Sequence, residues 1–241
     1  MRPPFCRVGS KKPISQKIIN MIPTHEIYVE PFVGSGAIYW DKEPSKKEII
    51  NDLDTQLINN YKLLKRTKSR NFKTDLDTID EIQDHVNKPA KTDGDKLIKE
   101  IAVSCGTFVT GSGKGGIYRK SNPYNKLKNI DEYQERMKNT TILNQDYKSV
   151  IKKYDSPQTF FFLDPPYERS KDLYKEGTFN FEELNNILEN VKGKFLLTLN
   201  DSSNIRTIFR NFNIKGIKVK GRGNVGIGTG TRKELIITNY L

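Results

Sequence analysis

The chain has 241 residues, the size of one domain or of one domain with a sizeable insertion, and enough to bury a core. Charged residues make up 29% of it and the mean hydropathy is −0.67, but 12 Phe and 11 Tyr supply core material and exclude wholesale disorder. The only cysteines, Cys6 and Cys105, and the only histidines, His25 and His85, lack metal-ligand spacing. This argues against a disulfide framework, a zinc site and Ser-His-Asp catalysis, and we expect no bound metal.

No apolar run approaches the roughly 18 residues that span a bilayer. The start, MRPPFCRVGSKK, lacks the apolar stretch of a signal peptide. We therefore expect an intracellular protein that is not secreted and has no membrane partner.

The charge balance favours a polyanionic partner. There are 41 Lys+Arg against 29 Asp+Glu, a formal charge of +12, and the pI is about 9.5. Three segments contain several lysines and arginines but no aspartate or glutamate: 62–73, 111–128 and 202–233. A single such run is usually a solvated face. Three of them together favour nucleic acid.

Short apolar blocks rich in β-branched and aromatic residues predict buried strands at Ile27–Pro31, Glu48–Asn51, Thr141–Leu143, Thr159–Leu163, Phe195–Leu199 and Glu234–Tyr240. Helical patterns lie between several of them, at Ser15–Met21, Thr55–Leu64, Phe181–Val191 and Ser202–Phe212. This alternation is typical of a mostly parallel sheet covered by helices, so the predicted fold class is α/β.

The alternation breaks between residues 65 and 138. This segment is strongly charged, with an acidic helix-like stretch at 75–84 and the glycine-rich sequence TGSGKGGIYRKSNPYNK. We predict an inserted region at 65–138, flanked by a catalytic domain at 1–64 and 139–241. The glycines would also suit a simple flexible hairpin tip. The side chains around them can contact phosphates, base edges and ring faces, so the candidate DNA-binding residues are Lys114, Arg119, Lys120, Asn122, Tyr124 and Lys126.

Two motifs indicate a nucleotide-like ligand at the carboxyl edge of the sheet. In EIYVEPFVGSGAIYW a predicted strand ends at Glu30 and runs into a glycine turn, where a ligand can approach the backbone. The dinucleotide and P-loop signatures are incomplete here, so neither an NAD nor an ATP site is supported. In NDLD, Asp52 follows the next strand and can accept hydrogen bonds from ribose hydroxyls. Asp54 competes for that role or caps the following helix.

The most specific motif is QTFFFLDPPYE. A buried strand brings Asp164 to the sheet edge, and Pro165 and Pro166 then fix the backbone and remove two amide donors. The carboxylate and the neighbouring carbonyls can accept both N–H groups of a planar amine, while the ring of Tyr167 stacks on its base. A plain loop is the alternative interpretation.

These motifs, in this order, resemble the Dam-like family of DNA adenine-N6 methyltransferases, in particular its alpha group with a DPPY turn. The resemblance covers nearly the whole chain and implies a Rossmann-like, S-adenosyl-L-methionine-dependent methyltransferase sheet with a small inserted target-recognition region. RVGSKK is similar to the N-terminal segment of the family. Three further stretches resemble family motifs less specifically: ILNQDY, FLLTLNDS and RKELIITNY.

The resemblance implies a catalytic turn of Asp164, Pro165, Pro166 and Tyr167. It implies a cofactor site of Arg7, Lys11, Glu30, Pro31, Phe32, Gly34, Ser35, Gly36, Asp52, Asp146, Tyr147 and Asp164. The chain departs from the family pattern twice. The family usually has an aromatic residue and two glycines before the lysine, and the usual Asn-Gly before the recognition arginine is replaced here by a glycine-rich run before Arg119.

The implied activity is methyl transfer from S-adenosyl-L-methionine to the exocyclic N6 of adenine in duplex DNA, with the base flipped out of the helix. A companion restriction endonuclease is a candidate partner. Two alternatives stay open: an RNA adenine-N6 methyltransferase, and a catalytically inactive DNA-binding subunit with the same fold. The motif order favours DNA, and the intact Asp52 and DPPY turn argue against an inactive subunit.

Overall fold

The computed structural model describes residues 1–7, 9–67, 84, 87–109, 115–117, 130–168, 179–220 and 231–241. The strands are β1 (Ile27–Glu30), β2 (Lys47–Asn51), β3 (Thr107–Val109), β4 (Gly115–Ile117), β5 (Thr140–Leu143), β6 (Thr159–Leu163), β7 (Lys194–Asn200), β8 (Asn213–Lys220) and β9 (Thr231–Thr238). The α-helices are α1 (Ser15–Ile19), α2 (Ala37–Asp41), α3 (Thr55–Arg66), α4 (Asp93–Gly106), α5 (Ile130–Met137), α6 (Tyr147–Tyr154), α7 (Phe181–Leu188) and α8 (Ser203–Ile208).

Seven strands form one sheet in the order β5-β2-β1-β6-β7-β9-β8. The first five are parallel, β9 is antiparallel to β7, and β8 is antiparallel to β9. The chain leaves β1 toward β2 on one side and returns to β6 on the other. This places a topological switch point between β1 and β6, where open α/β sheets bind ligands at their carboxyl ends. The predicted α/β, Rossmann-like class is confirmed.

All six predicted strands are present, and β6 has the predicted ends. The sequence analysis did not predict β8 or helices α4, α5 and α6. Strands β3 and β4 form a separate antiparallel pair within the 65–138 segment. The predicted acidic helix at 75–84 lies, except for residue 84, outside the described residues.

The sheet is buried on both faces, which explains why four of the five residues of β6 are apolar. The fifth, Thr159, is buried as well. Phe160 and Phe162 belong to one core cluster, and Phe161 and Leu163 belong to the other. Successive side chains of a strand point to opposite faces, so a strand covered on both sides is apolar along nearly its whole length. Each such side chain stabilises the fold by about 1.5–3 kcal/mol when fully buried.

Parts of the 65–138 segment pack on the sheet layer. Helices α4 and α5 supply buried residues to the same cluster as Phe160, among them Ile98 and Tyr133. Arg136 on α5 forms an ion pair with the buried Glu48 on β2. Cys6, in the N-terminal segment, is disulfide-bonded, a bond that the sequence analysis did not anticipate.

Candidate active site

Asp164 follows the central strand β6 directly, and its carboxylate is oriented by Thr198 on β7. The register pairs Leu163 with Leu197, so the next residues of the two strands are neighbours at the carboxyl edge. The Thr198 hydroxyl, which is fully buried, donates to Asp164 Oδ1 at 2.8 Å. The strand pairing therefore fixes one oxygen of the carboxylate.

Lys11 holds the same carboxylate from the other side. Its ammonium lies 2.7 Å from Asp164 Oδ1 and 2.8 Å from Oδ2, and it also donates to the carbonyl of Gly9 at 3.1 Å. Lys11 is only 5% exposed, and its ammonium lies 4.8 Å from the centroid of the Tyr167 ring. The structure thus brings together a lysine, a carboxylate and an aromatic ring from two ends of the chain that are far apart in sequence.

Tyr167 presents a half-buried, uncharged ring at this edge. Its buried hydroxyl lies beside the buried carboxylate of Glu234. Burial, together with the charges of Asp164 and Glu234, raises the pKa of Tyr167 well above its ordinary value. The phenol is therefore neutral at physiological pH, which suits a stacking role rather than proton transfer.

Glu168 ties the end of the DPPY turn to the segment after β7. Its carboxylate accepts from the Ser202 hydroxyl and from Asn204 Nδ2, both at 2.7 Å. Its backbone N–H donates to Asn200 Oδ1 at 3.2 Å, and Asn200 Nδ2 donates back to its carboxylate at 3.3 Å. The sequence analysis singled out none of these support residues individually, nor Thr198.

The glycine turn after β1 is held in a conformation that only glycine adopts readily. Gly34 and Gly36 have φ values of +46° and +67°. A Cβ on Gly36 would lie 3.0 Å from the Trp40 ring, whereas a Cβ on Gly34 would meet nothing within 4 Å. The Tyr61 hydroxyl on α3 donates to the Gly34 carbonyl at 2.9 Å and holds the turn against that helix.

Asp52 joins this turn to the end of β2. Its Oδ2 accepts from Gly34 N at 2.9 Å and its Oδ1 accepts from Asp54 N at 3.0 Å. Burial raises the pKa of Asp52 above its ordinary value. Each carboxylate oxygen can accept two hydrogen bonds, so both retain acceptor capacity.

Asp54 is the N-cap of α3, which is the second of the two roles considered from the sequence. Its Oδ1 accepts from Leu57 N at 3.0 Å, and its Oδ2 forms an ion pair with Arg7. Burial alone would raise the pKa of Asp54, but the Leu57 amide and the Arg7 guanidinium outweigh it and lower that pKa.

Asn51, which the sequence analysis did not single out, joins three strand ends. Its Nδ2 donates to the Pro31 carbonyl and to the Gln145 carbonyl, both at 2.9 Å, and its Oδ1 accepts from Gln145 N at 2.9 Å. The side chain is fully buried. It therefore positions the loops that follow β1 and β5 against β2.

Aromatic rings line the edge beyond these loops. The Phe32 ring lies 5.1 Å from Tyr147 and 5.8 Å from Phe179, centroid to centroid, and burial raises the pKa of Tyr147 to about 12. Asp146 is exposed and caps α6 by accepting from Lys148 N at 2.8 Å.

Glu30 ends the strand before the glycine turn, and Ser35 lies within the turn. Glu30 is 1% exposed and accepts from the Tyr28 hydroxyl at 2.8 Å. Burial, with a contribution from the charge of Asp164, raises the pKa of Glu30 to about 8. The buried Ser35 hydroxyl donates to Ser10 Oγ at 2.9 Å and connects the turn to the N-terminal segment that carries Lys11.

The candidate DNA-binding residues, namely Lys114, Arg119, Lys120, Asn122, Tyr124 and Lys126, lie outside the described residues. Within the described part of the chain, no group of three or more His, Cys, Asp and Glu side chains is placed to hold a metal ion. No described helix is both long and apolar enough to cross a membrane.

The sequence is similar to one protein family and to several named proteins. Residues 8–92 and 110–221 match the family model of the D12 class N6 adenine-specific DNA methyltransferases. A type II methyltransferase of Lactococcus lactis subsp. cremoris is 24% identical over 98% of this chain and 95% of its own length. A type II methyltransferase of Paramecium bursaria Chlorella virus NC1A is 23% identical over the full length of both chains. A DNA N-6-adenine-methyltransferase of Escherichia phage P1 is 23% identical over 95% of this chain and 34% of its own. The chain belongs to the D12 class N6 adenine-specific DNA methyltransferase family.

Proposed function

We propose that the chain transfers a methyl group from S-adenosyl-L-methionine to N6 of adenine in duplex DNA. The observation that carries this proposal is the set of contacts around Asp164. The carboxylate stands at the end of β6, held by Thr198 and Lys11, beside the ring of Tyr167. The ligand loop after β1 lies at the adjacent strand end, because β1 and β6 are paired.

The residues at the ends of β1, β2 and β5 fit S-adenosyl-L-methionine. Asp52 has free acceptor capacity for ribose hydroxyls, and the half-buried rings of Phe32, Tyr147 and Phe179 suit a flat base. Open space around Gly34 lets a ligand approach the backbone. When bound, S-adenosyl-L-methionine supplies a methyl group on a positively charged sulfur.

Asp164 and the Pro165 carbonyl would activate the target amine. The lone pair of adenine N6 is delocalised into the ring, so the nitrogen becomes nucleophilic only when its geometry is drawn toward tetrahedral. Two acceptors that take both N–H groups favour that geometry. Tyr167 would stack on the flipped base, and Thr198 would keep the carboxylate in place throughout. After transfer, Asp164 is positioned to accept the proton that the amine releases.

The choice of duplex DNA rests on charge and on the family. The formal charge is +12. Contacts between lysine or arginine side chains outside the active site and DNA phosphates can offset the few kcal/mol that flipping the adenine costs. Two of the relatives are named type II methyltransferases, which supports a companion restriction endonuclease as a partner. Residues 65–138 would then serve as the target-recognition region, with Arg119 as the candidate base-reading residue.

The test is methyl transfer from labelled cofactor to unmethylated duplex DNA, single-stranded DNA and RNA, run beside calorimetric binding of S-adenosyl-L-methionine. We expect transfer to duplex DNA and its loss in Asp164→Ala. Preferential transfer to RNA would support the RNA methyltransferase instead. Absence of both transfer and cofactor binding would support the inactive subunit.

A further inference from the structure

Strands β8 and β9 form a two-stranded ribbon that extends past the carboxyl end of β7. The pairing of β9 with β7 ends at Asn200 and Glu234. The pairing of β8 with β9 continues beyond it through Lys218↔Lys233, Val219↔Arg232 and Lys220↔Thr231. At about 3.3 Å per residue, these pairs project roughly 10 Å beyond the edge at which Asp164 lies. We name residues 218–220 and 231–233 the basic ribbon.

Two lysines of the basic ribbon face each other across the strand pair. Lys218 is directly opposite Lys233, both are exposed, and neither forms an ion pair with a described residue. Like charges that are directly opposite destabilise a strand pair. The whole stretch 202–233 contains no acid, and the nearby Asp201 is already bound by Arg206 at 2.7 Å. An anion from outside the chain would neutralise this pair.

The base of the ribbon adjoins the catalytic turn. Asp201 N donates to the Lys233 carbonyl at 3.2 Å, so the ribbon is fastened to the segment that follows β7. Glu234, the residue after Lys233, is buried and contributes to the raised pKa of Tyr167. A nucleic acid with one nucleobase stacked on Tyr167 would therefore have its neighbouring phosphates near the ribbon.

We propose that the basic ribbon binds the phosphate backbone of duplex DNA beside the flipped adenine, with Lys218 and Lys233 as the phosphate contacts. This inference rests on the proposed function, because it takes duplex DNA as the substrate. Lysine suits phosphate as a compact point charge. A membrane surface fits less well, since the exposed large apolar residues of the described chain, Met1, Leu53 and Leu241, are not on the ribbon.

Phosphate contacts have a measurable signature. They add affinity for every duplex regardless of sequence, and each lysine that neutralises a phosphate contributes about 0.9 to the slope of log affinity against log salt concentration. Loss of both lysines should therefore lower the magnitude of that slope by about 2.

The experiment compares the Lys218→Gln/Lys233→Gln variant with the matched control Lys152→Gln/Lys192→Gln. The control lysines are equally exposed and remove the same charge, but they lie near the amino ends of β6 and β7, at the opposite edge of the sheet. Affinity for two duplexes of unrelated sequence is measured by fluorescence anisotropy over a range of salt concentrations. We expect the slope to fall by about 2 in the ribbon variant, with equal losses of affinity on both duplexes, and to stay near the wild-type value in the control.

An unchanged slope in a ribbon variant that melts like wild type would overturn the proposal, and so would an equal fall in the control. If the double variant is unstable, the single variants Lys218→Gln and Lys233→Gln serve, each with an expected fall of about 1. The proposed function fails separately, when wild-type protein transfers no methyl group to duplex DNA at any salt concentration.

Discussion

Thr198→Val isolates the contribution of one hydroxyl to catalysis. The substitution removes the donor that lies 2.8 Å from Asp164 Oδ1 and keeps the β-branched shape that the buried strand needs. Lys11 still holds the carboxylate from the other side. What changes is therefore the orientation of Asp164, while its position at the end of β6 is retained.

The expected loss follows from the strength of that hydrogen bond. A hydrogen bond to a charged group contributes about 1.5–3 kcal/mol, and each 1.36 kcal/mol of lost transition-state stabilisation slows a reaction about tenfold. Lys11 retains part of the orientation, so we expect kcat to fall by about ten- to a hundredfold. The KM for S-adenosyl-L-methionine should change little, because Thr198 contacts Asp164 and not the loops after β1 and β2.

Thr238→Val is the matched control. Thr238 is also buried, lies on the adjacent strand β9 and donates its hydroxyl to the Tyr240 carbonyl at 2.7 Å, at the other end of the sheet. Single-turnover methyl transfer and thermal melting are measured for both variants. Equal effects of the two substitutions on kcat, or an unchanged kcat in Thr198→Val, would refute the positioning role of Thr198.

Three further predictions concern the cofactor side of the site. Asp52→Ala should weaken S-adenosyl-L-methionine binding by about 1.5–3 kcal/mol for each ribose hydrogen bond lost. Asp54→Ala should mainly lower the free energy of unfolding, by about 1 kcal/mol, through loss of the α3 cap. Equal losses of cofactor affinity in the two variants by calorimetry would contradict these separate roles. Gly34→Ala should lower the free energy of unfolding by roughly 1–2 kcal/mol through left-handed backbone strain. Gly36→Ala should lower it further, because only the methyl group added at position 36 would meet Trp40. Equal losses for the two variants in denaturant titrations would show that the close contact is absent. Folding raises the pKa of Glu30 from 4.5 to about 8, so the folded protein binds a proton between these values and its stability falls as pH rises through that window. Glu30→Gln should remove this loss of stability. The same dependence of melting temperature on pH in both proteins, from about pH 5 to about pH 8, would contradict the prediction.

The fold could be predicted where the sheet is buried on both faces. In β6 four of the five residues are apolar and the fifth, Thr159, is β-branched and buried, so the pattern marks both ends of the strand and places Asp164 beyond it. Strand β8 was missed because it lies at the edge of the sheet, where lysines alternate with a small number of apolar residues. Helix α6 was missed because its N-cap, Asp146, and its first residue, Tyr147, lie in the ILNQDY stretch, which matched a family motif rather than a helical pattern.

The candidate site could be predicted residue by residue but not as a network. The motifs mark Asp52 and Asp164 because both follow strands. The supports Asn51, Thr198 and Glu168 have ordinary residue types at unremarkable positions, and only the strand register brings them to their partners. The pairing of Lys11 with Asp164 likewise depends on how the N-terminal segment packs across the sheet edge.

The most direct test of the proposed function is nucleoside mass spectrometry of duplex DNA after incubation with S-adenosyl-L-methionine that carries a deuterated methyl group. The structure predicts that the label appears in N6-methyladenine with the wild-type protein and is absent with Asp164→Ala, while both proteins bind the cofactor. Label in a methylated cytosine, or undiminished N6-methyladenine with Asp164→Ala, would contradict the assignment of Asp164 and its neighbours as the site of adenine methylation.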